Sequence, residues 1–231
     1  MINIGTTVNL LCNPKLVDDY NKNDNKSEPI GVTFCIPGNN FTSGFFNSWT
    51  KFLFFLKSNP HLITPHFVNY HTNDLANTCN EMLGGNISKG AYQLPFDDDF
   101  ETAFVFFIDP DKIFEPLQIM QIIYKMAKYN LNVLSGVYIH NDNLSIIKED
   151  KESKPFCKEE LINLGRLSEN NVCKVENVGL GFVCIKNELF ASIKYPWFSN
   201  ESNMAYDLFR KMKANGENIY CDTSIFIQTD K

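Results

Sequence analysis

The chain has 231 residues, a formal net charge of −6 and 44% hydrophobic residues, including 20 Phe. This length and composition are sufficient for one folded α/β domain. The charge argues against nucleic acid as a partner, because phosphate binding needs clustered Lys and Arg, whereas the only arginines are Arg166 and Arg210. The densest apolar run, Phe52 to Leu56, is far too short to span a bilayer, so no membrane span is predicted.

The cysteine pattern and the N-terminal sequence predict the compartment. Seven cysteines are dispersed without a CxxC or Cys/His spacing, which is typical of reduced thiols. The first residues lack the basic segment and apolar segment of a signal peptide. We therefore expect a cytoplasmic protein, in the host cytoplasm if the chain is viral.

The first half of the chain predicts an extension and then alternating strands and helices. Residues 1–29 are expected to form a partly irregular N-terminal extension, because they contain a long polar run. A β-rich run at 31–36 predicts a buried strand, and another strand is predicted over 62–70. A helix follows each strand. The predicted capping residues are Ser43 for the first helix and Asn73 or Asp74 for the second.

The second half opens with the strongest strand prediction, the apolar run at 103–108, which suits the middle of a sheet covered on both faces. Helices are predicted over 116–129 and 203–215, and further strands over 133–139, 178–185 and 219–227. Residues 141–175, which are charged and irregular at first, are expected to form an excursion from the sheet. The apolar side of the helix at 116–129 is predicted to consist of Leu117, Met120, Ile123, Tyr124 and Ala127.

Alternating strands and helices predict the fold class. Such an order is typical of an α/β protein with a mostly parallel, Rossmann-like sheet flanked by helices. No linker rich in Pro, Gly or Ser divides the chain, so residues 30–231 are expected to form a single domain.

Two carboxylates directly follow the strongest predicted strand. In open α/β sheets ligands bind beyond the carboxyl ends of the strands, so Asp109 and Asp111 are expected to face a crevice. Two carboxylates one residue apart can share one divalent cation, and oxygen ligands suit Mg²⁺ or Mn²⁺. The alternative is a loop in which Asp-Pro-Asp caps the next helix.

Six motifs occur in a fixed order over most of the chain, from about Ile30 to Ile225. They are Phe-Cys-Ile-Pro37, Phe-Phe-Ile-Asp-Pro-Asp-Lys-Ile-Phe, Val-Leu-Ser-Gly136-Val-Tyr, Val-Gly-Leu-Gly181-Phe-Val-Cys-Ile, Tyr-Pro-Trp-Phe198 and Asn-Ile-Tyr-Cys-Asp222. This ordered set resembles the family 2 type GT-A glycosyltransferases, particularly the compact group found in viruses and bacteria. The resemblance implies the GT-A fold and transfer of a sugar from a nucleoside diphosphate sugar.

The resemblance also implies roles for individual residues. Asp109 and Asp111 would hold Mn²⁺ or Mg²⁺ against the diphosphate of the donor. Asp207 falls where the family places the general base that takes the proton of the acceptor hydroxyl. The remaining implied donor-binding residues are Pro37, Gly38 and Asn39 under the nucleotide base, Asn80, and Gly179 and Gly181 beside the donor sugar or acceptor.

Three positions depart from the family pattern. Cys79-Asn80 stands where the family commonly has Arg-Asn, and Tyr206-Asp207 stands where an acidic pair opens the late helix. No His follows the last strand to complete a metal site, and Asp230 is the oxygen ligand that could substitute for it. These departures weaken anion or metal binding.

Three functions are therefore open. The first is a metal-dependent glycosyltransferase, with inversion favoured and with an unidentified glycan, protein or small molecule as acceptor. The second is a catalytically degenerate GT-A-like binding or scaffold protein. The third is a nucleotidyltransferase, although the Gly-rich basic loop that such enzymes have after the first strand is absent.

Overall fold

The computed structural model describes residues 28–98, 102–140, 143–147, 155–200 and 203–230, so the predicted extension lies outside the described residues up to residue 27. The strands are β1 (Ile30–Pro37), β2 (Ile63–Tyr70), β3 (Phe104–Ile108), β4 (Lys112–Ile113), β5 (Val133–His140), β6 (Asn143–Leu144), β7 (Ile146–Ile147), β8 (Val172–Val175), β9 (Asn177–Val178), β10 (Phe182–Lys186) and β11 (Ile219–Thr229). The α-helices are α1 (Ser43–Ser58), α2 (Leu75–Met82), α3 (Pro116–Lys128), α4 (Lys158–Leu167), α5 (Glu188–Ser192) and α6 (Met204–Ala214).

The main sheet has the strand order β2-β1-β3-β10-β5-β11-β4. β1 pairs in parallel with β2 and β3, and β11 pairs in parallel with β5. β10 lies antiparallel between β3 and β5, so β1, β2, β3, β5 and β11 all point in the same direction. Their carboxyl ends therefore meet at one edge. This arrangement confirms the predicted single α/β domain with a mostly parallel sheet flanked by helices.

Both faces of the sheet are covered, which explains the continuous apolar sequence of β3. Phe34 of β1 and Phe106 of β3 are fully buried in the cluster that contains the apolar side chains of α1 and α3. Cys35 and Phe107, one residue further along each strand, belong to the cluster formed with α2, α4, α5 and α6. Because successive side chains of a strand point to opposite faces, an all-apolar strand needs a helical layer on each side.

Two predictions about the later strands are corrected. The predicted strand at 178–185 is two strands, β9 and β10, separated by the turn that contains Gly179 and Gly181. Among the described residues of the predicted excursion at 141–175, the structure has strands β6 to β8 and helix α4. A charged helix such as α4 buries only a narrow apolar stripe, with Leu161 and Gly165 as its buried residues, so its periodicity in the sequence is weak.

The N-cap of helix α1 lies one residue before the predicted one. Thr42, rather than Ser43, is the N-cap, and its hydroxyl accepts a hydrogen bond from the backbone N–H of Phe45. The backbone N–H of Thr42 donates to the carbonyl of Pro110 at 3.0 Å. The start of α1 is thereby fixed to the segment that follows β3. Helix α2 is capped by Asp74, one of its two predicted caps.

Two further observations concern the whole described chain. Within the described residues, no helix combines the length and apolarity needed to cross a membrane. The cysteines of the described residues are free, and all of them except Cys157 are buried.

Candidate functional site

The carboxyl ends of β1 and β3 bring two predicted site segments into contact. β1 ends at Pro37, and Gly38 follows with φ +106°, a conformation that favours glycine. A Cβ added to Gly38 would lie 3.8 Å from Cγ of Pro110. The Pro37–Gly38–Asn39 turn therefore lies against the Asp109–Pro110–Asp111 segment, and Asn39 at its tip is exposed.

A lysine that had no predicted role in the site lies beside the two carboxylates. Nζ of Lys112 lies 2.6 Å from Oδ1 of Asp111 and 3.8 Å from Oδ2 of Asp109. The two carboxylate side chains are 36% and 37% exposed, whereas the side chain of Lys112 is only 1% exposed. Strand β4, which includes Lys112, pairs with the end of β11 at one edge of the sheet.

The ring of Tyr138 in β5 packs against the cluster formed by Asp109, Asp111 and Lys112, which is called the acidic cluster below. The ammonium of Lys112 lies 4.5 Å from the centroid of the Tyr138 ring, a cation–π distance. The Tyr138 hydroxyl oxygen accepts a hydrogen bond from the backbone N–H of Gly181 at 2.8 Å. Burial raises the pKa of Tyr138, and the negative charge of Asp109 raises it further. The phenol therefore stays protonated at neutral pH.

Gly179 and Gly181 make the close packing of this cluster possible. A Cβ on Gly181 would lie 2.5 Å from Oδ2 of Asp109 and 2.9 Å from both Cε of Lys112 and the ring of Tyr138. A Cβ on Gly179 would lie 2.1 Å from the Tyr138 hydroxyl oxygen. The backbone carbonyl of Gly181 also accepts from the backbone N–H of Asp109 at 3.0 Å. Gly181 thus packs against Asp109, Lys112 and Tyr138, and Gly179 packs against Tyr138 and Ser145.

Asp230, the suggested substitute for a histidine ligand, lies near the same segment. Its backbone N–H donates to the carbonyl of Asp111 at 2.8 Å. Its carboxylate Oδ2 accepts from the backbone N–H of Gly44 at 2.9 Å, in the first turn of α1. A carboxylate at a helix N-terminus is favoured by the free N–H groups and the helix dipole. Asp230 therefore has a structural partner in α1.

On the other side of the site, α2 carries Cys79 and Asn80. Burial raises the pKa of the Cys79 thiol, and the negative charges of Asp109 and Asp74 raise it further. Asn80 is buried, and its amide makes two hydrogen bonds to the backbone of Phe198: Nδ2 donates to the carbonyl at 2.9 Å, and Oδ1 accepts from the N–H at 3.1 Å. The predicted role of Asn80 in donor binding stays a prediction.

Asp207, the predicted general base, lies in the first turn of α6 and is buried. The hydroxyl of Ser199 donates to its Oδ2 at 3.1 Å, and the guanidinium of Arg210 lies 3.8 Å from Oδ1. Ser199 directly follows Phe198, which Asn80 holds. The 198–199 segment therefore connects Asp207 to α2, and the ring of Phe198 also contacts that of Phe107 in β3, with 5.5 Å between the ring centroids.

The residues present do not fit a divalent cation held as the resemblance implies. The Lys112 ammonium already uses a carboxylate oxygen of Asp111 and lies close to Asp109, and the carboxylate of Asp230 is bonded to α1. In the described part of the chain, no group of three or more His, Cys, Asp or Glu side chains is arranged to hold a metal ion. A second positive charge beside Lys112 would be repelled.

Comparisons with known proteins agree with the fold. The chain is similar to the viral protein A197 from STIV, with a TM-score of 0.51, 17% identity and coverage of 87% of this chain and 95% of that chain. It is also similar to GalNAc-T7, whose structure was solved with UDP, GalNAc and Mn²⁺, with a TM-score of 0.56 and 8% identity. That match covers 90% of this chain and 45% of the GalNAc-T7 chain. No family model and no curated protein matches. The fold is thus GT-A-like, and these identities show the fold alone.

Proposed function

We propose that the chain is a glycosyltransferase that moves a sugar from a nucleoside diphosphate sugar to a hydroxyl acceptor. The observation that carries this proposal is the contact between the Pro37–Gly38–Asn39 turn and the Asp109–Pro110–Asp111 segment at the carboxyl edge of a GT-A-like sheet. Open α/β sheets bind their ligands at this edge. The similarity to GalNAc-T7, solved with UDP and GalNAc, supports a nucleotide sugar as donor.

In the proposed reaction, the acceptor hydroxyl displaces the nucleoside diphosphate at the anomeric carbon, with inversion favoured. The nucleotide base would contact Pro37, Gly38 and Asn39, and the donor hydroxyls would meet the partly exposed carboxylates of Asp109 and Asp111. The acceptor hydroxyl must lose its proton to a carboxylate within hydrogen-bond reach. We assign this role to Asp207. Gly179 and Gly181 would border the sugar and the acceptor.

The metal dependence predicted from the resemblance is left out of this mechanism. The Lys112 ammonium lies at the carboxylates that would bind Mn²⁺ or Mg²⁺. Every proposed contact to the donor therefore uses this chain's own side chains and backbone.

A second candidate is a GT-A-like binding protein without transfer activity. The burial of Asp207 favours it, because the side chain is only 4% exposed and a general base must touch the acceptor. The two candidates make different predictions. The first predicts turnover that is lost in Asp207→Asn, whereas the second predicts weak or absent metal-dependent nucleotide binding and no effect of Asp207→Asn.

The first experiment is a thermal-shift panel of UDP, GDP, CDP and their sugars, with chelator and with Mn²⁺. A ligand at one hundred times its Kd adds about 2.7 kcal/mol, which raises the Tm of a domain of this size by about 5–10 °C. We expect one nucleotide class to raise the Tm of the wild type and of the matched control Glu188→Gln. Asp109→Asn should abolish the shift. If no nucleotide shifts the wild type under either condition, the proposal is wrong.

The wider proposals rest on the same function. The acceptor is a glycan, a protein or a small molecule, and assays of sugar transfer to a panel of acceptors would distinguish these classes. We propose residues 30–231 as the glycosyltransferase domain and residues 1–29 as an extension. We propose the cytoplasm as the compartment, in agreement with the free cysteines of the described chain.

A further inference from the structure

A buried lysine lies among the acidic side chains of the candidate site. The residue Lys112 is fully buried, and its ammonium has a charge-assisted hydrogen bond of 2.6 Å to Asp111. Asp109 at 3.8 Å and the face of the Tyr138 ring at 4.5 Å surround the same nitrogen. A buried ammonium is costly unless opposite charge and hydrogen-bond acceptors compensate it. Here two carboxylates and an aromatic face provide this compensation.

The lysine and a divalent cation would need the same oxygen atoms. A metal ion bound by both carboxylates would have to displace the ammonium from Oδ1 of Asp111 or lie beside it. The first arrangement leaves a buried positive charge without its partner, and the second places two cations close together. Gly181 packs against Cε of Lys112, so the side chain has little space in which to move aside.

We propose that Lys112 is the built-in cation of this site: its ammonium takes the place of a divalent metal ion between Asp109 and Asp111, so the site binds its donor without Mn²⁺ or Mg²⁺. The cluster of two carboxylates and one ammonium has a net charge of −1, compared with −2 for the carboxylates alone. The fixed ammonium also holds both carboxylates in one orientation.

This assignment changes the chemistry by which the carboxylates recognise a ligand, and it rests on the proposed function for the identity of that ligand. Carboxylate oxygens that do not bind a metal are hydrogen-bond acceptors. Asp109 and Asp111 keep more than a third of their side-chain surface exposed. Their exposed oxygens are suited to the hydroxyl groups of a ribose or of a donor sugar. The site therefore selects a polyhydroxylated ligand through its hydroxyls, rather than a diphosphate through a metal.

The first test uses Mn²⁺ alone as the probe, measured by calorimetry and by the Mn²⁺ electron paramagnetic resonance signal on the full chain. We expect the wild type to show no binding tighter than about 1 mM. Lys112→Met removes the charge and should tighten Mn²⁺ binding roughly ten-fold or more, and adding Asp111→Asn should abolish this gain. Lys112→Arg keeps the charge and should behave like the wild type.

The matched control is Lys186→Met, since Lys186 forms an ion pair of similar length, 2.7 Å, with Glu188 at a more exposed position outside the site. This variant should bind Mn²⁺ no better than the wild type. Tight Mn²⁺ binding by the wild type that is lost in Asp111→Asn would overturn the inference. That measurement needs no lysine variant, so the inference can be refuted even if Lys112→Met does not fold.

The second test measures nucleotide and nucleotide-sugar affinity by calorimetry, with EDTA and with Mn²⁺. Equal affinity within two-fold supports the built-in cation, whereas affinity that rises ten-fold or more with Mn²⁺ contradicts it. If no nucleotide binds under either condition, the proposed function is wrong, and the Mn²⁺ measurements on the wild type and the variants still decide the role of Lys112.

Discussion

Replacement of Asn80 by alanine tests whether this residue holds the fold around the site. The Asn80 amide bonds both the N–H and the carbonyl of Phe198, and all these groups are buried. Asn80→Ala leaves two buried backbone groups without partners, each at a cost of about 1–3 kcal/mol. We therefore expect a loss of about 3 kcal/mol in the free energy of unfolding, a large fraction of the 5–15 kcal/mol that is typical of a domain.

Urea unfolding followed by circular dichroism measures this loss, and a thermal melt should show a Tm lower by about 6–12 °C. The matched control is Asn215→Ala. Its amide also bonds a backbone carbonyl, that of Ser192 at 2.8 Å, but the bond is exposed, so we expect a change below about 0.5 kcal/mol. A loss of less than about 1 kcal/mol for Asn80→Ala would refute the reasoning. Lower donor affinity at unchanged stability would instead identify Asn80 as a donor-binding residue.

Three further predictions concern stability. Gly181→Ala should cost about 1–3 kcal/mol in urea unfolding, because the new methyl group would overlap the acidic cluster. In the wild type, the Lys125 ammonium lies 2.6 Å from the fully buried carboxylate of Asp222. Lys125→Met should cost about 3–5 kcal/mol in the same assay, because it leaves this carboxylate without its counter-charge. Burial raises several thiol pKa values, so the folded state keeps protons that the unfolded state loses. The free energy of unfolding, measured against pH, should therefore fall above about pH 8.5 by about 1.4 kcal/mol per pH unit for each such thiol. These thiols are Cys35, Cys79, Cys184 and Cys221.

The sequence is most informative where local pattern and topology agree. The apolar run of β3 indicates a strand that is covered on both faces. The Pro37-Gly38 and Asp109-Pro110 dipeptides indicate where β1 and β3 end. Because parallel strands present their carboxyl ends at one edge, the contact of these two segments could be anticipated without coordinates. The antiparallel position of β10 between β3 and β5 could not be anticipated, because it depends on the direction in which the chain re-enters the sheet after β9.

The buried face of α3 shows where periodicity alone is insufficient. The sequence places Leu117 on the apolar side, but this side chain is 39% exposed, whereas Ile119 and Ile122 are fully buried. Apolar residues occur around most of this helix, so two faces satisfy the same pattern. Packing against Phe106 and the rest of that core cluster selects between them, and this information is distant in sequence.

The role of Lys112 illustrates the same limit at the site. An Asp-x-Asp segment at a strand end has the same sequence whether its carboxylates bind a metal ion or an ammonium. The outcome depends on Tyr138, which provides the aromatic face, and on Gly181, which lets the lysine chain pack closely. A fully buried lysine requires a counter-charge, and Asp111 and Asp109 provide it at 2.6 and 3.8 Å. The burial of Lys112, rather than the acidic motif itself, therefore decides which cation these carboxylates hold.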